Sequence, residues 1–453
     1  MTIRSINPAT GEELETFEAH DEAEIDSALA RAERAIRRLG EYGLDGRAER
    51  LIRAADILES EAEAFGRMMT AEMGKPLAQA KAEAEKCAWA CRHYAETGAD
   101  MLADEPIEAG DKGRAFVRRL PLGPIFAIMP WNFPFWQVFR FAAPNLMAGN
   151  PGVLKHASNV PRCALAIEQV LHRAGFEAGC FQSLLIGSDL AGDVIADDRI
   201  RGVTLTGSEK AGAAVARQAG AAIKPTVLEL GGSDAFIVMP SADLDEAVET
   251  GVAARIQNNG QSCIAAKRFI VHEDVYTEFR DRFVAALEAK IVGDPMHADT
   301  DIGPLVDETA AETLMGQVDD TVKAGGKAVL APEKGRLSFV TPGVLEQIPP
   351  ASPGYREELF GPVALMFKAA DLDAAIRLAN DHAYGLGSSL WSSDEAEIEA
   401  AASRLEAGST YVNQMVASDP RLPFGGVKKS GYGRELAREG LFAFTNAKTI
   451  AIR

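Results

Sequence analysis

From Pro124 onward, short apolar runs alternate with stretches of helical length, and this alternation limits the fold more than any other feature of the sequence. "PIFAIMPW", "GVLKHA", "FQSLLIG", "IRGVTLTG" and "PTVLELGG" read as strands, with Pro134 to Ala148, Val160 to Ala174 and Ser208 to Ala221 as helices between them. Strands joined through helices predict a parallel sheet wound on both faces, with ligands beyond the carboxyl ends of its strands. After Gly232 a second series begins, with "DAFIVM", "AAKRFIVH", "KAVLAP", "FVTPGVL" and "GPVALMFK" as strands and "SADLDEAVETGVAARIQ" among the helices. Ahead of both, residues 20 to 100 are rich in Ala, Glu and Arg with apolar residues at helical spacing, which predicts several helices. Two strand-like segments, "GRAFVRRLPLG" near residue 118 and the tail "FTNAKTIAIR", lie outside either series and suit an arm that docks on another subunit.

A chain of 453 residues with 47% hydrophobic positions can bury more than one core. Its formal net charge of −19 repels polyanions, so neither nucleic acid nor an acidic membrane surface is an expected partner. The opening "MTIRSINPATGEELETF" lacks the apolar core of a secretory signal, and a cytoplasmic location is expected. The most apolar stretch, from Gly123, is broken by prolines and contains Arg140, which argues against a membrane span. Cysteines at 87, 91, 163, 180 and 263 form no regular disulfide framework.

Cys263, in "QNNGQSCIAAK", follows a predicted helix and an amide-rich turn whose N–H groups can face the sulfur and a substrate oxygen. Glu229 ends an apolar strand before two glycines and should project into a cleft, where it suits a general base; the alternative is a helix cap or a surface charge at a strand end. Asn132, in "MPWNFPFWQVFR", can donate to a developing oxyanion or act as an N-cap before Pro134. Phe133, Trp136, Gln137 and Arg140 share a helix face that either lines a tunnel or packs as core. Lys155 and Ser158 in "VLKHAS", with Gly207, Ser208 and Gly212 in "TLTGSEKAG", place a strand end and a helix N-terminus where a pyrophosphate can bind, although G-x-G-x-x-G is missing.

As a set, "WNFP", "GNPGVLKHAS", "TGSEKAG", "LELGG", "NGQSC", "EELFGPV" and "PFGGVKKSGYGRE" resemble the NAD(P)-dependent aldehyde dehydrogenase superfamily in order and spacing, over essentially the whole chain. Within it the chain looks most like the shorter bacterial succinate-semialdehyde dehydrogenases. The resemblance implies two doubly wound α/β domains plus a β-arm: a variant Rossmann cofactor domain at 1–100 and 122–231, a catalytic domain at 232–428, and an oligomerisation arm at 101–121 and 429–453. It implies a homodimer or a dimer of dimers. Cys263 would be the nucleophile, Glu229 the base that activates water, and the Asn132 amide with the Cys263 N–H the oxyanion hole. Trp131, Lys155, Ser158, Gly207, Ser208, Gly212 and Leu230 would hold the dinucleotide, with Glu358 on the nicotinamide ribose and Phe360 beside the ring. Members that prefer NAD commonly carry glutamate where this chain has Ser158, with proline where it has His156; a small neutral side chain leaves room for a 2′-phosphate, so NADP is expected, with NAD also possible.

Phe133 and Trp136 would line the substrate tunnel, with Arg140 and Ser418 binding the carboxylate of a four-carbon aldehyde and Arg421 a second candidate cation. A cofactor-free thiol hydrolase would need a histidine base, and none of the seven histidines lies in the matched catalytic motifs around Asn132, Glu229 and Cys263. A CoA-acylating relative generally lacks the "ELGG" glutamate. Cys87, Cys91 and His93 of "CAWACRH" share no helical face well enough for a metal, and no metal is expected.

Overall fold

The computed structural model describes residues 2–108 and 113–453. Helices Glu22–Ser60, Ala62–Met73 and Leu77–Met101 fill the segment expected to be helical; the first opens on a capping box between Asp21 and Glu24 and breaks at Gly43. Their apolar faces share a core with helix Trp136–Ala148. Two strands not anticipated, Thr2–Ile6 and Glu13–Glu18, pair ahead of them.

The first large sheet has six strands in the order Gly431–Tyr432, Thr226–Glu229, Gly202–Thr206, Ile125–Met129, Gly152–His156, Phe181–Ser183. All its pairings are parallel except the Gly431–Tyr432 edge. From Ile125–Met129 the chain winds one way through Gly152–His156 and Phe181–Ser183, then returns to build Gly202–Thr206 and Thr226–Glu229 on the other side. The order reverses there, which opens a crevice beyond Met129 and Thr206. The second sheet runs Lys327–Leu330, Gly343–Glu346, Val363–Ala369, Ala266–His272, Asp234–Val238, Gly387–Trp391, Ser409–Val412, antiparallel only at its first pair. Gly387–Trp391 and Ser409–Val412 were not anticipated, because "GSSLW" and "STYV" carry little apolar pattern of their own.

The two orphan segments do pair: Arg114–Pro121 runs antiparallel to Thr445–Ile452 with Arg118 opposite Lys448, and Glu105–Ile107 completes the sheet. Residues 109–112 of the expected arm lie outside the described residues. The segment 429–453 is not arm throughout. Gly431–Tyr432 instead joins the first sheet against Glu229 and Leu228, followed by helix Ala437–Phe442. Gly431 (φ 116°) comes so close to its neighbour that a Cβ would lie 1.9 Å from the Leu228 carbonyl oxygen, so the strand depends on glycine there. Among the described residues no helix is long and apolar enough to cross a membrane.

Candidate active site

Cys263 is positioned by the turn that precedes it. After helix Leu244–Ile256 the backbone passes through the left-handed region at Asn258 (φ 54°), Asn259 (φ 59°) and Gly260 (φ 76°), which asparagine and glycine tolerate best. The amides then fix the turn. Asn258 Nδ2 donates to the carbonyls of Asn132 (2.7 Å) and Gln261 (3.0 Å), while Asn259 Nδ2 donates to those of Gly74 and Pro304. From strand Ala266–His272 the buried Lys267 ammonium donates to the carbonyls of Ser262 and Cys263, both at 2.7 Å, and lies 2.9 Å from Glu358 Oε1. Burial pushes the Cys263 thiol up to about 12, with Lys267 and Arg140 acting in the opposite direction, so the resting thiol is neutral.

Asn132 follows the strand Ile125–Met129, and its Nδ2 donates to the Gln261 carbonyl at 3.1 Å. An amide has two N–H groups, so one remains for a substrate oxygen. Asn132 is not an N-cap: the helix starts at Trp136, and Glu83 Oε1 accepts the N–H groups of Phe135 and Trp136, both at 2.9 Å. Glu229 ends its strand 2% exposed, and neither carboxylate oxygen has a hydrogen-bond partner among the described residues. It is therefore not a surface charge. Burial and then the neighbouring Glu435 carboxylate raise its proton affinity well above the usual range, with Arg140 and Arg434 opposing. A Cβ on Gly425 (φ 149°) would fall 2.5 Å from Glu229 Oε1, so glycine is what lets the carboxylate occupy this place.

Two cavities meet at the thiol. One, of about 570 Å³, is lined by Phe133, Trp136, Arg140, Ser418 and Phe424 together with Cys263. The other, of about 230 Å³, lies at the crevice of the first sheet and is lined by Trp131, Asn132, Gly207, Ser208, Leu230, Glu358 and Phe360, again with Cys263. Glu229 lines neither of these two. The Trp131 and Phe360 rings meet edge to face at 5.9 Å between centroids. Ser208 caps helix Glu209–Ala221, accepting the Ala211 N–H at 3.3 Å. Gly212 sits beneath Leu230, where a Cβ would lie 2.6 Å from Leu230 Cδ2; it brings helix and strand together and lines neither cavity.

These residues fit a dinucleotide carrying an additional phosphate. The helix N-terminus at Ser208 suits an anion. Lys155, 8% exposed at a strand end, has no carboxylate in ion-pairing distance among the described residues; desolvation lowers its pKa and Asp189 opposes. Ser158 is exposed beside it. The 230 Å³ cavity holds only one end of such a molecule.

Arg140, expected either at the substrate carboxylate or in a structural ion pair, has a carboxylate partner in this structure. Its guanidinium is 2% exposed and ion-paired with Glu435; it also donates to Thr206 Oγ1 at 3.1 Å and lies 4.5 Å from the Phe424 ring centroid. It reaches the cavity wall with its charge already opposed, not as a free cation. Arg421 is likewise paired, with Asp419 at 2.6 Å. Ser418 Oγ lies where the substrate cavity was expected and accepts from Trp136 Nε1 and from Lys86 Nζ, both at 2.9 Å. Lys86, Lys267 and Glu435 were not singled out from the sequence. Lys86 stands in an alanine- and glutamate-rich helix where nothing separates it from a surface lysine, whereas the consecutive amides of "QNNG" were a readable sign of a left-handed turn. Among the described residues no cluster of possible metal ligands is found.

A thiol shared by a substrate-sized cavity and a crevice at the switch point of a parallel sheet fits the class of nucleotide-dependent oxidoreductases. The model of the aldehyde dehydrogenase family matches residues 1–450, and the chain belongs to that family. It is 54% identical to the succinate-semialdehyde dehydrogenase [NADP(+)] of Mycobacterium avium, covering 100% of this chain and 97% of the relative. It is 50% identical to a probable succinate-semialdehyde dehydrogenase [NADP(+)] of Synechocystis, over 100% of both chains. The crystal structure of succinic semialdehyde dehydrogenase from Streptococcus pyogenes in complex with NADP+ superposes with a TM-score of 0.97 at 37% identity, over 99% of each chain.

Proposed function

We propose that the chain oxidises succinate semialdehyde to succinate with NADP+ as oxidant, through a thioester on Cys263 that water hydrolyses. The observation that carries the mechanism is that Cys263 lines both cavities, so one sulfur faces the substrate and the nucleotide crevice. The thiol passes its proton to water in the cavity, and the sulfur attacks the aldehyde carbon. The second Asn132 N–H and the Cys263 N–H stabilise the alkoxide that forms. A bound nicotinamide would supply the hydride acceptor that oxidation of a thiohemiacetal to a thioester requires. Glu229 then swings from its buried position and removes a proton from the attacking water; a carboxylate with raised proton affinity is a strong base once ionised. Trp131, Glu358 and Phe360 would hold the nicotinamide end, and Lys155 with Ser158 the 2′-phosphate. Copies would associate through the arm formed by Arg114–Pro121 and Thr445–Ile452.

The test is a substrate panel read by reduced-nicotinamide absorbance. Succinate semialdehyde should be used with a kcat/KM about 10-fold or more above that of butyraldehyde, which matches its carbon count without the charge. Equal or reversed preference leaves only a dehydrogenase of another short aldehyde.

Cofactor choice gives a second prediction. Ser158→Glu places a carboxylate beside Lys155, where it neutralises the cation and repels the 2′-phosphate. The ratio of kcat/KM for NADP over NAD should fall by about 10-fold or more. An unchanged ratio would mean that the adenosine ribose lies elsewhere.

A further inference from the structure

We infer that Lys86 is the specificity-determining cation of the substrate cavity: its ammonium and the Ser418 hydroxyl together take the carboxylate of the aldehyde, an inference that rests on the proposed carboxylated substrate. Among the three cations that line the 570 Å³ cavity, Lys86, Arg140 and Lys290, Lys86 alone lacks an ion-pair partner among the described residues. Of the lining carboxylates, Glu83 is paired with Lys75, Asp301 with Lys290, and Glu249 lies beyond ion-pairing distance of Lys86. Arg140 is ion-paired with Glu435, and Lys290 at the rim is 3.2 Å from Asp301. Lys86, from helix Leu77–Met101, has no carboxylate in ion-pairing distance among the described residues, and its Nζ lies 4.4 Å from the Trp136 ring centroid, inside the lining. A cation on a cavity wall without a counter-ion favours an anionic ligand.

The hydroxyl supplies an independent observation. Ser418 is 6% exposed, and its Oγ already accepts two hydrogen bonds, from Lys86 Nζ and Trp136 Nε1. Two acceptor sites are all that a hydroxyl oxygen has, so its remaining capacity is its proton, for which the described residues provide no hydrogen-bond acceptor. An ammonium and an unspent O–H donor 2.9 Å apart match the two oxygens of a carboxylate. The Lys86 ammonium keeps further protons to donate after its bond to Ser418.

Arg140 then has a different part. Its charge, fixed by Glu435, lowers the proton affinity of both Cys263 and Glu229, which makes it a positioning residue for the chemistry common to all substrates.

The experiment compares kcat/KM for succinate semialdehyde and butyraldehyde in the intact enzyme carrying Lys86→Met, Lys86→Arg or Arg140→Leu. Lys86→Met keeps the apolar stem against Trp136 and should reduce the preference for the charged aldehyde by about 10- to 100-fold. Lys86→Arg should retain part of it. Arg140→Leu should lower both substrates to a similar extent. A pH series on the wild type gives a reading free of any folding defect. Burial and then Arg140 lower Lys86 to about 8, with Cys87, Glu83 and Asp419 opposing, so the ammonium should be lost as pH rises through that value. The ratio of the two kcat/KM values cancels the shared titrations of Cys263 and Glu229, and it should fall between about pH 7 and about pH 9.5. A preference kept by Lys86→Met, erased by Arg140→Leu alone, or flat with pH overturns the inference and leaves the semialdehyde function standing. A wild type without the preference removes both.

Discussion

Cys263→Ala should lower aldehyde oxidation by about 10⁴-fold or more while NADP+ still binds, because the sulfur forms the covalent bond and contributes little to holding the nucleotide. The 230 Å³ cavity is lined by Trp131, Gly207, Ser208, Leu230, Glu358 and Phe360 as well as by the thiol, so deleting one sulfur leaves most of that wall in place. Quenching of Trp131 fluorescence by the nucleotide measures binding, and absorbance of the reduced nicotinamide measures turnover. The resting thiol is neutral, so removing it uncovers no buried charge and the fold should survive. A rate near that of the wild type would rule out Cys263 as the nucleophile.

Glu229→Gln should act later in the cycle. Burial already favours the neutral acid at this position, and glutamine is a neutral isostere of it, so the variant should fold normally. With no base to activate water, one equivalent of reduced nicotinamide should form in a burst, after which steady turnover falls by about 10²- to 10⁴-fold. Acid quenching should then recover protein carrying the acyl group. Loss of the burst together with turnover would instead assign Glu229 to activation of the thiol, a role open to it because Cys263 is also protonated at rest.

Much of the architecture was legible because helices and strands declare themselves through local periodicity. The strands of the first sheet expected at "PIFAIM", "GVLKH" and "VTLT" appear at Ile125–Met129, Gly152–His156 and Gly202–Thr206, each bounded by the glycines, prolines or amides that stop it. Gly387–Trp391 and Ser409–Val412 were missed for the converse reason. Their serines and threonine are placed in a sheet by neighbouring strands and not by a pattern of their own. The pairing of the two orphan segments was half readable: both stood out as strand-like, yet their sequence did not reveal that Gly431–Tyr432, a few residues before the tail, would close the edge of a different sheet.

At the site, the sequence by itself determined which chemical groups are available: a lone thiol after consecutive amides, a glutamate at the end of an apolar strand, and an asparagine where a strand meets a helix. Those identities are local, and short motifs carry them. Only the tertiary structure decided their charge states and partners, because these depend on what lies nearby in space from distant parts of the chain. Glu435 lies 206 positions beyond Glu229 in sequence, yet its carboxylate raises the proton affinity of that glutamate and takes up the charge of Arg140. Lys86 and Ser418, separated by 332 positions, meet at 2.9 Å. Electrostatic energy depends on distance and burial, neither of which is written in the order of residues, so which cation in the cavity is free for a substrate was settled by folding.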